Sequence, residues 1–187
     1  MLFLALVPAI LAVQPMPPWW DKWLQIPSFS SSFVQEGESA AFGKLARRGI
    51  IQSAKGGRLR VEYENGLLLL CDGSQLIQYD PSTRTAQRHY LEDVSEEWPL
   101  LRLLTDPASL RHVFHVSPQS GGAVKLTPKT VGLPEVILEG GGNFLHKAAW
   151  TDGTGAKQEL VLTSPKTQHD PGSAPFTFKL PTGAKWL

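Results

Sequence analysis

The sequence contains a single cysteine, Cys71, so no internal disulfide can form and packing alone must hold the fold. It also lacks a charge excess: 18 Lys and Arg stand against 17 Asp and Glu, and no basic block runs longer than the pair Arg47 and Arg48. This balance excludes the basic footprint that a nucleic-acid partner requires. Catalytic signatures are absent as well. There is no Gly-x-Ser-x-Gly elbow, and neither Gly140-Gly141-Gly142 nor Gly43-Lys44 has the context of a phosphate loop. His112 and His115 have no Cys or acidic cluster beside them, and a strand would place them on opposite faces, so no metal and no cofactor is expected. Cys71 closes a run of four leucines and reads as a small buried apolar residue, not a nucleophile. The sequence is therefore not read as an enzyme.

A length of 187 residues suits one well-buried core. Residues 1–13 are apolar throughout, and Ala12 with Ile10 two residues before it fits a signal-peptidase site. A span of this length is too short to cross a bilayer, which takes roughly 20 apolar residues. It is expected to be a leader, with residues 14–187 forming the mature domain. No Cys follows the cleavage region, so the mature N-terminus offers no thiol for lipid attachment.

What the sequence does have is turn chemistry spread between short apolar runs, with 17 Gly and 15 Pro. Trp19, Trp20, Trp23 and Leu24 recur at helical spacing, and that helix must stop before Pro27. From Phe29 the period changes to two, giving a strand over 29–34 and further strands over 43–52 and 58–63. Asn65-Gly66 predicts a type I′ hairpin into a strand over 67–71. Asp72-Gly73 and Asp80-Pro81-Ser82-Thr83 supply the next turns, flanking strands over 75–79 and 85–91. Pro99 opens a leucine-rich helix and Asp106-Pro107 a second short one. Strands resume over 112–116, 123–128, 135–139, 143–150 and 158–163, and Phe176 to Pro181 alternates once more. Ten or eleven short antiparallel strands would curl into a barrel or a deeply bent sheet, mainly β, with the helical insertion across its open side.

Five motifs in order carry a resemblance: Ser32-Phe33-Val34-Gln35, Gly43-Lys44-Leu45, Asp72-Gly73 before Leu76, Tyr79-Asp80-Pro81, and Leu126-Thr127-Pro128-Lys129. With the closing Phe176-Thr177-Phe178, Pro181 and Gly183, the mature chain resembles the LolA family of periplasmic outer-membrane lipoprotein carriers. The resemblance implies an unclosed antiparallel β-barrel covered by a lid of short helices, around an apolar cavity for lipoprotein acyl chains. It implies a monomeric periplasmic chaperone loaded by a LolCDE-type inner-membrane transporter. Delivery would be to an outer-membrane receptor of the LolB type, which is itself a lipoprotein.

On this basis the cavity wall is expected from Phe33, Leu59, Val61, Tyr63 and Leu69. The inner face of the cover is expected from Leu100, Leu101, Leu103 and Leu104, with Trp98 at its opening. The family usually carries an Arg-Pro pair whose arginine hydrogen-bonds to the lid. The matching positions here are Lys55-Gly56, so Lys55 is one candidate latch and Arg58 another. Two alternatives stay open: a related carrier of glycolipid or other non-protein lipid, and a small-molecule enzyme on the same fold, as in violacein biosynthesis.

Overall fold

The computed structural model of the chain describes residues 14–39, 43–90 and 99–187. The proposed leader, Trp98, and the side chain of Leu100 lie outside the described residues. Helix α1 (Pro18–Gln25) precedes a run of strands: β1 (Ser28–Ser39), β2 (Gly43–Ala54), β3 (Arg58–Tyr63), β4 (Leu68–Asp72), β5 (Gln75–Asp80) and β6 (Thr85–Tyr90). Helix α2 (Pro99–Thr105) and a short 3-10 and helical turn through Val113 follow. The chain then forms β7 (Phe114–Pro118), β8 (Val124–Pro128), β9 (Val136–Gly141), β10 (Phe144–Thr151) and β11 (Lys157–Leu162). Two-residue pieces β12 (Lys166–Thr167) and β13 (Lys185–Trp186) complete it.

These strands form one sheet in the order β13-β6-β5-β4-β3-β2-β1-β11-β10-β9-β8-β7, with β12 added beside β1. Every pair except β13 with β6 is antiparallel. Strand β1 pairs with β2 on one side and β11 on the other, so it joins the first meander to the second. The ends of the order, β13 and β7, are not paired with each other, and the barrel is unclosed.

Hairpin chemistry fixes the register. Asp72, Asp80 and Asp152 each accept a backbone N–H and a hydroxyl from the residue two positions on, which is a local mimic of a turn. At Asn65-Gly66 the expected type I′ turn is not formed. Only Gly66 of the pair takes a positive φ, of 84°, and Gly66 N–H donates to the Tyr63 carbonyl while Tyr63 N–H donates to that of Leu67. This is the three-residue loop in which a type I turn ends on a left-handed glycine.

Two further expectations are corrected. His112 lies in the helical turn Leu110–Val113, where Leu110 is fully buried, and the strand begins only at Phe114. Phe176 to Pro181 is not a strand. Pro175 and Pro181 have no N–H to give a ladder, and Thr177 N–H closes a 3-10 turn onto the Ala174 carbonyl.

The sheet has two cores. On its concave side α1 packs against β9 and β10, burying Trp19, Trp20 and Trp23 among Val136, Leu138, Leu145 and Ala148. The indole N–H groups of Trp20 and Trp23 find no acceptor among the described residues. Each orphan costs about 1–3 kcal/mol. Burying the ring contributes about 4–6 kcal/mol from its area, so burial wins.

On the convex side the C-terminal segment lies over β3 to β6. Phe176 is 2% exposed. Phe178 packs on Tyr79 and on Trp186, which in turn lies under the Arg88 guanidinium. This second core explains the unbroken Leu67 to Cys71 run. Leu70 faces the tail side and Cys71 the concave side, and both are almost fully buried. A strand covered on both faces has no reason to alternate.

Candidate functional site

The half of the concave face that the tryptophans do not fill holds a cavity of about 370 Å³. Its wall comes from side chains that the two-residue period points inward. Val61 sits opposite Ile51 on β2 and Leu69 on β4, and Leu59 sits opposite Cys71, whose other partner is Leu76. Ile51, Leu59, Val61, Leu69 and Leu76 all line the space. Leu160 and Trp150 close it from the second meander. The cover is α2, which packs on β2 and β3 and turns Leu101 and Leu104 into the cavity.

The expected site residues divide accordingly. Phe33, Leu59, Val61, Tyr63, Leu69, Leu101 and Leu104 meet around one space. Leu103 is buried but does not border it, because one residue along a helix turns the side chain about 100° away. Leu103 belongs to the core that anchors α2.

Phe33 and Tyr63 reach each other across an intervening strand. Gly49 stands between them, paired with both. A β-carbon on Gly49 would lie 2.7 Å from the Phe33 ring and 2.0 Å from the Glu62 carbonyl oxygen, so only glycine lets the two rings meet edge to face at 5.3 Å. The Tyr63 hydroxyl donates to Gln35 Oε1 at 3.2 Å. Burial pushes that phenol above its ordinary value, and the charge of nearby Arg47 pulls partly the other way. Gln35 and Arg47 make this end of the lining polar, while Gln78 enters it on the row of Ile51, Val61 and Leu69.

Among the described residues neither candidate latch is hydrogen-bonded to the cover. Lys55 is exposed in the β2–β3 turn, where its backbone N–H donates to the Pro27 carbonyl. Arg58 holds the C-terminal segment: it donates to the Gly172 carbonyl at 2.6 Å, forms an ion pair with Asp170, and lies over the Phe176 ring. The link to α2 comes from a residue that sequence reasoning passed over. Ser53, buried on β2, donates its hydroxyl to the Leu104 carbonyl at 2.6 Å. A serine at an inward strand position flanked by Ile51 and Leu59 was the available signal, since a buried hydroxyl must find an acceptor.

Three consecutive glycines suggest a turn, yet Gly140 lies within β9 and seats α1. A β-carbon there would fall 2.4 Å from the Trp19 ring. The turn itself is Gly142-Asn143, with Gly142 at φ 60°. Trp19 is further held by its Nε1–H, which donates to the Gly122 carbonyl at 2.9 Å.

Compared with known proteins, residues 25–179 match the profile of the family described as outer membrane lipoprotein carrier protein LolA. No protein of curated function matches. A LolA superfamily protein from Nitrosomonas europaea has a similar structure, with a TM-score of 0.50 at 15% identity, covering 86% of this chain and 96% of that one. An uncharacterized conserved protein from Thermus thermophilus is similar at a TM-score of 0.52 and 12% identity, covering 90% and 96%. At such identities the likeness is one of fold.

Proposed function

Since the chain belongs to the LolA family, we propose that it shields the acyl chains of lipoproteins in the cavity under α2 and carries them through the periplasm from the inner to the outer membrane. The observation that supports this reading is that inward-facing apolar residues of seven strands leave a space unfilled under a short helix, which among the described residues turns Leu101 and Leu104 into it. A hydrocarbon chain in water costs about 0.8 kcal/mol per CH₂, so one of a dozen carbons represents roughly 10 kcal/mol. A cavity that offsets most of this makes transit feasible, and a movable cover makes release feasible.

Helix α2 suits that task. At seven residues it is far shorter than a helix stable by itself, so its position depends on Leu101, Leu103, Leu104 and the Ser53 bond. Ser53 is the latch in this reading. Loading would come from an inner-membrane transporter of the LolCDE type, and delivery would go to a LolB-type receptor. The work is carriage, with no bond made or broken.

A second reading is a carrier of non-protein lipid, which an apolar lining with polar Gln35 and Arg47 at one end would also suit. Leu101→Glu places a carboxylate in the lining and is expected to abolish binding of an acyl probe while the circular dichroism stays native. Native mass spectrometry of protein purified from the periplasm then separates the cargoes. Co-purifying acylated protein supports the first reading and free lipid the second. Unimpaired probe binding by the glutamate variant overturns both.

A further inference from the structure

The acyl-cavity reading leaves open which way a ligand lies and what its polar end must be. The cavity itself is asymmetric. Along β2, Ile51 and Arg47 are four residues apart on the same face, about 14 Å at the rise of an antiparallel strand. The Ile51 end lies toward the cover, because the next residue on that face, Ser53, bonds the Leu104 carbonyl of α2. At the other end Arg47 pairs across the ladder with Gln35, and the two make a polar rim. Five N–H donors of a guanidinium thus stand where the lining meets water. Among the described residues the Arg47 side chain has no hydrogen-bond or ion-pair partner. Its contrast with Arg58 and Arg60 is informative, because those arginines are both engaged with the C-terminal segment. One accepting site of the neighbouring Gln35 amide oxygen is already taken by Tyr63, which fixes the rim in place.

We propose that Arg47 is the head-group subsite of this cavity: an acyl ligand enters tail first toward Leu101 and Leu104, and its accepting oxygens rest against the Arg47 guanidinium. The chemistry recognised is a hydrogen-bond-accepting oxygen at the head of a hydrocarbon chain. It has two sources, the ester or amide carbonyl of an acylated protein and the anionic oxygen of a free lipid. A charge-assisted hydrogen bond from Arg would favour the anion by about tenfold or more over a neutral carbonyl. The proposal rests on the cavity reading above, and it adds the orientation and the head-group preference.

The test is displacement of a fluorescent fatty-acid analogue by palmitate and by methyl palmitate, with the full chain, Arg47→Met, Arg47→Lys and Leu101→Glu compared. Arg47 is exposed, so its replacement leaves the melting temperature unchanged. The expected result is that palmitate outcompetes its methyl ester about tenfold. That preference collapses to near unity in R47M with the ester unaffected, and persists in R47K. Equal affinities that both fall in R47M assign the subsite to ester carbonyls, the acylated-protein source. If R47M leaves both ligands unchanged while L101E abolishes probe binding, the cavity stands and the head-group subsite is overturned. If neither ligand displaces the probe from the unmodified protein, both are overturned.

Discussion

At the scale of single residues, the site depends on small side chains placed between large ones. Gly49 lets Phe33 and Tyr63 touch, and Gly140 lets Trp19 lie flat on β9. Ser53 is the third such residue, and its consequence is dynamic. Replacing it with Ala leaves the Leu104 carbonyl without its donor at a cost of about 1–3 kcal/mol, which falls on the docking of α2. Amide hydrogen exchange in α2 is therefore expected to quicken by about tenfold or more in Ser53→Ala, and release of an acyl probe with it. Exchange elsewhere in the sheet should be nearly unchanged. An α2 that exchanges at the original rate would remove Ser53 from the latch role. The sequence exposed the pieces of this arrangement but not their meeting, because Ser53 and Leu104 are brought together across 51 residues of chain.

At the scale of elements, local chemistry and tertiary cover contribute separately. The hairpins are legible from residue type alone: Asp72, Asp80 and Asp152 each bind the backbone two residues on, wherever the chain is placed. These carboxyls are held below their ordinary value near 3.8. For Asp72 burial pushes upward, and hydrogen bonds from Ser74 and Gln75 together outweigh it. For Asp80 the Ser82 hydroxyl and N–H dominate, and for Asp152 the Thr154 hydroxyl and the Gln158 amide. A depressed carboxyl adds stability that is complete above 3.8 and is lost as pH falls through the folded-state values. The protein should thus hold a constant denaturation midpoint near neutrality and lose stability below about pH 4. Replacing all three by Asn, which keeps an accepting oxygen, should flatten the profile between pH 4 and 2.5. A triple variant as acid-sensitive as the parent would show that other groups control it. The leucine-rich helix was equally legible, and Leu101, Leu104 and five predicted wall residues do meet at one cavity. The division between Leu101 and Leu103 was not, since it depends on the rotation of α2 against β2 and β3.

At the scale of the whole molecule, the concave face is shared between a filled half under α1 and a hollow half under α2. The convex face is closed by the tail that Arg58 and Arg60 grip through the carbonyls of Gly172 and Pro175. Phe176 is the plug of that outer core. Phe176→Ala is expected to cost about 3–5 kcal/mol in a denaturant melt. Acyl-probe affinity of the folded protein should be unchanged, because the ring lies on the opposite side of the sheet from the cavity. A loss of binding at full stability would mean that the tail and the cavity are coupled.

The sequence by itself determined the strand periods, most of the turns, the family and the apolar identity of the cavity wall, because each is written in neighbouring residues: a period of two, an Asp two positions before a free N–H, five motifs in order. Only the tertiary structure decided which half of the concave face stays open, that a serine and not a lysine or arginine reaches the cover, and that the closing aromatic segment packs as a tail. Those outcomes depend on contacts between segments far apart in the chain, where volume and the need to satisfy each buried donor select among arrangements that local sequence leaves equal.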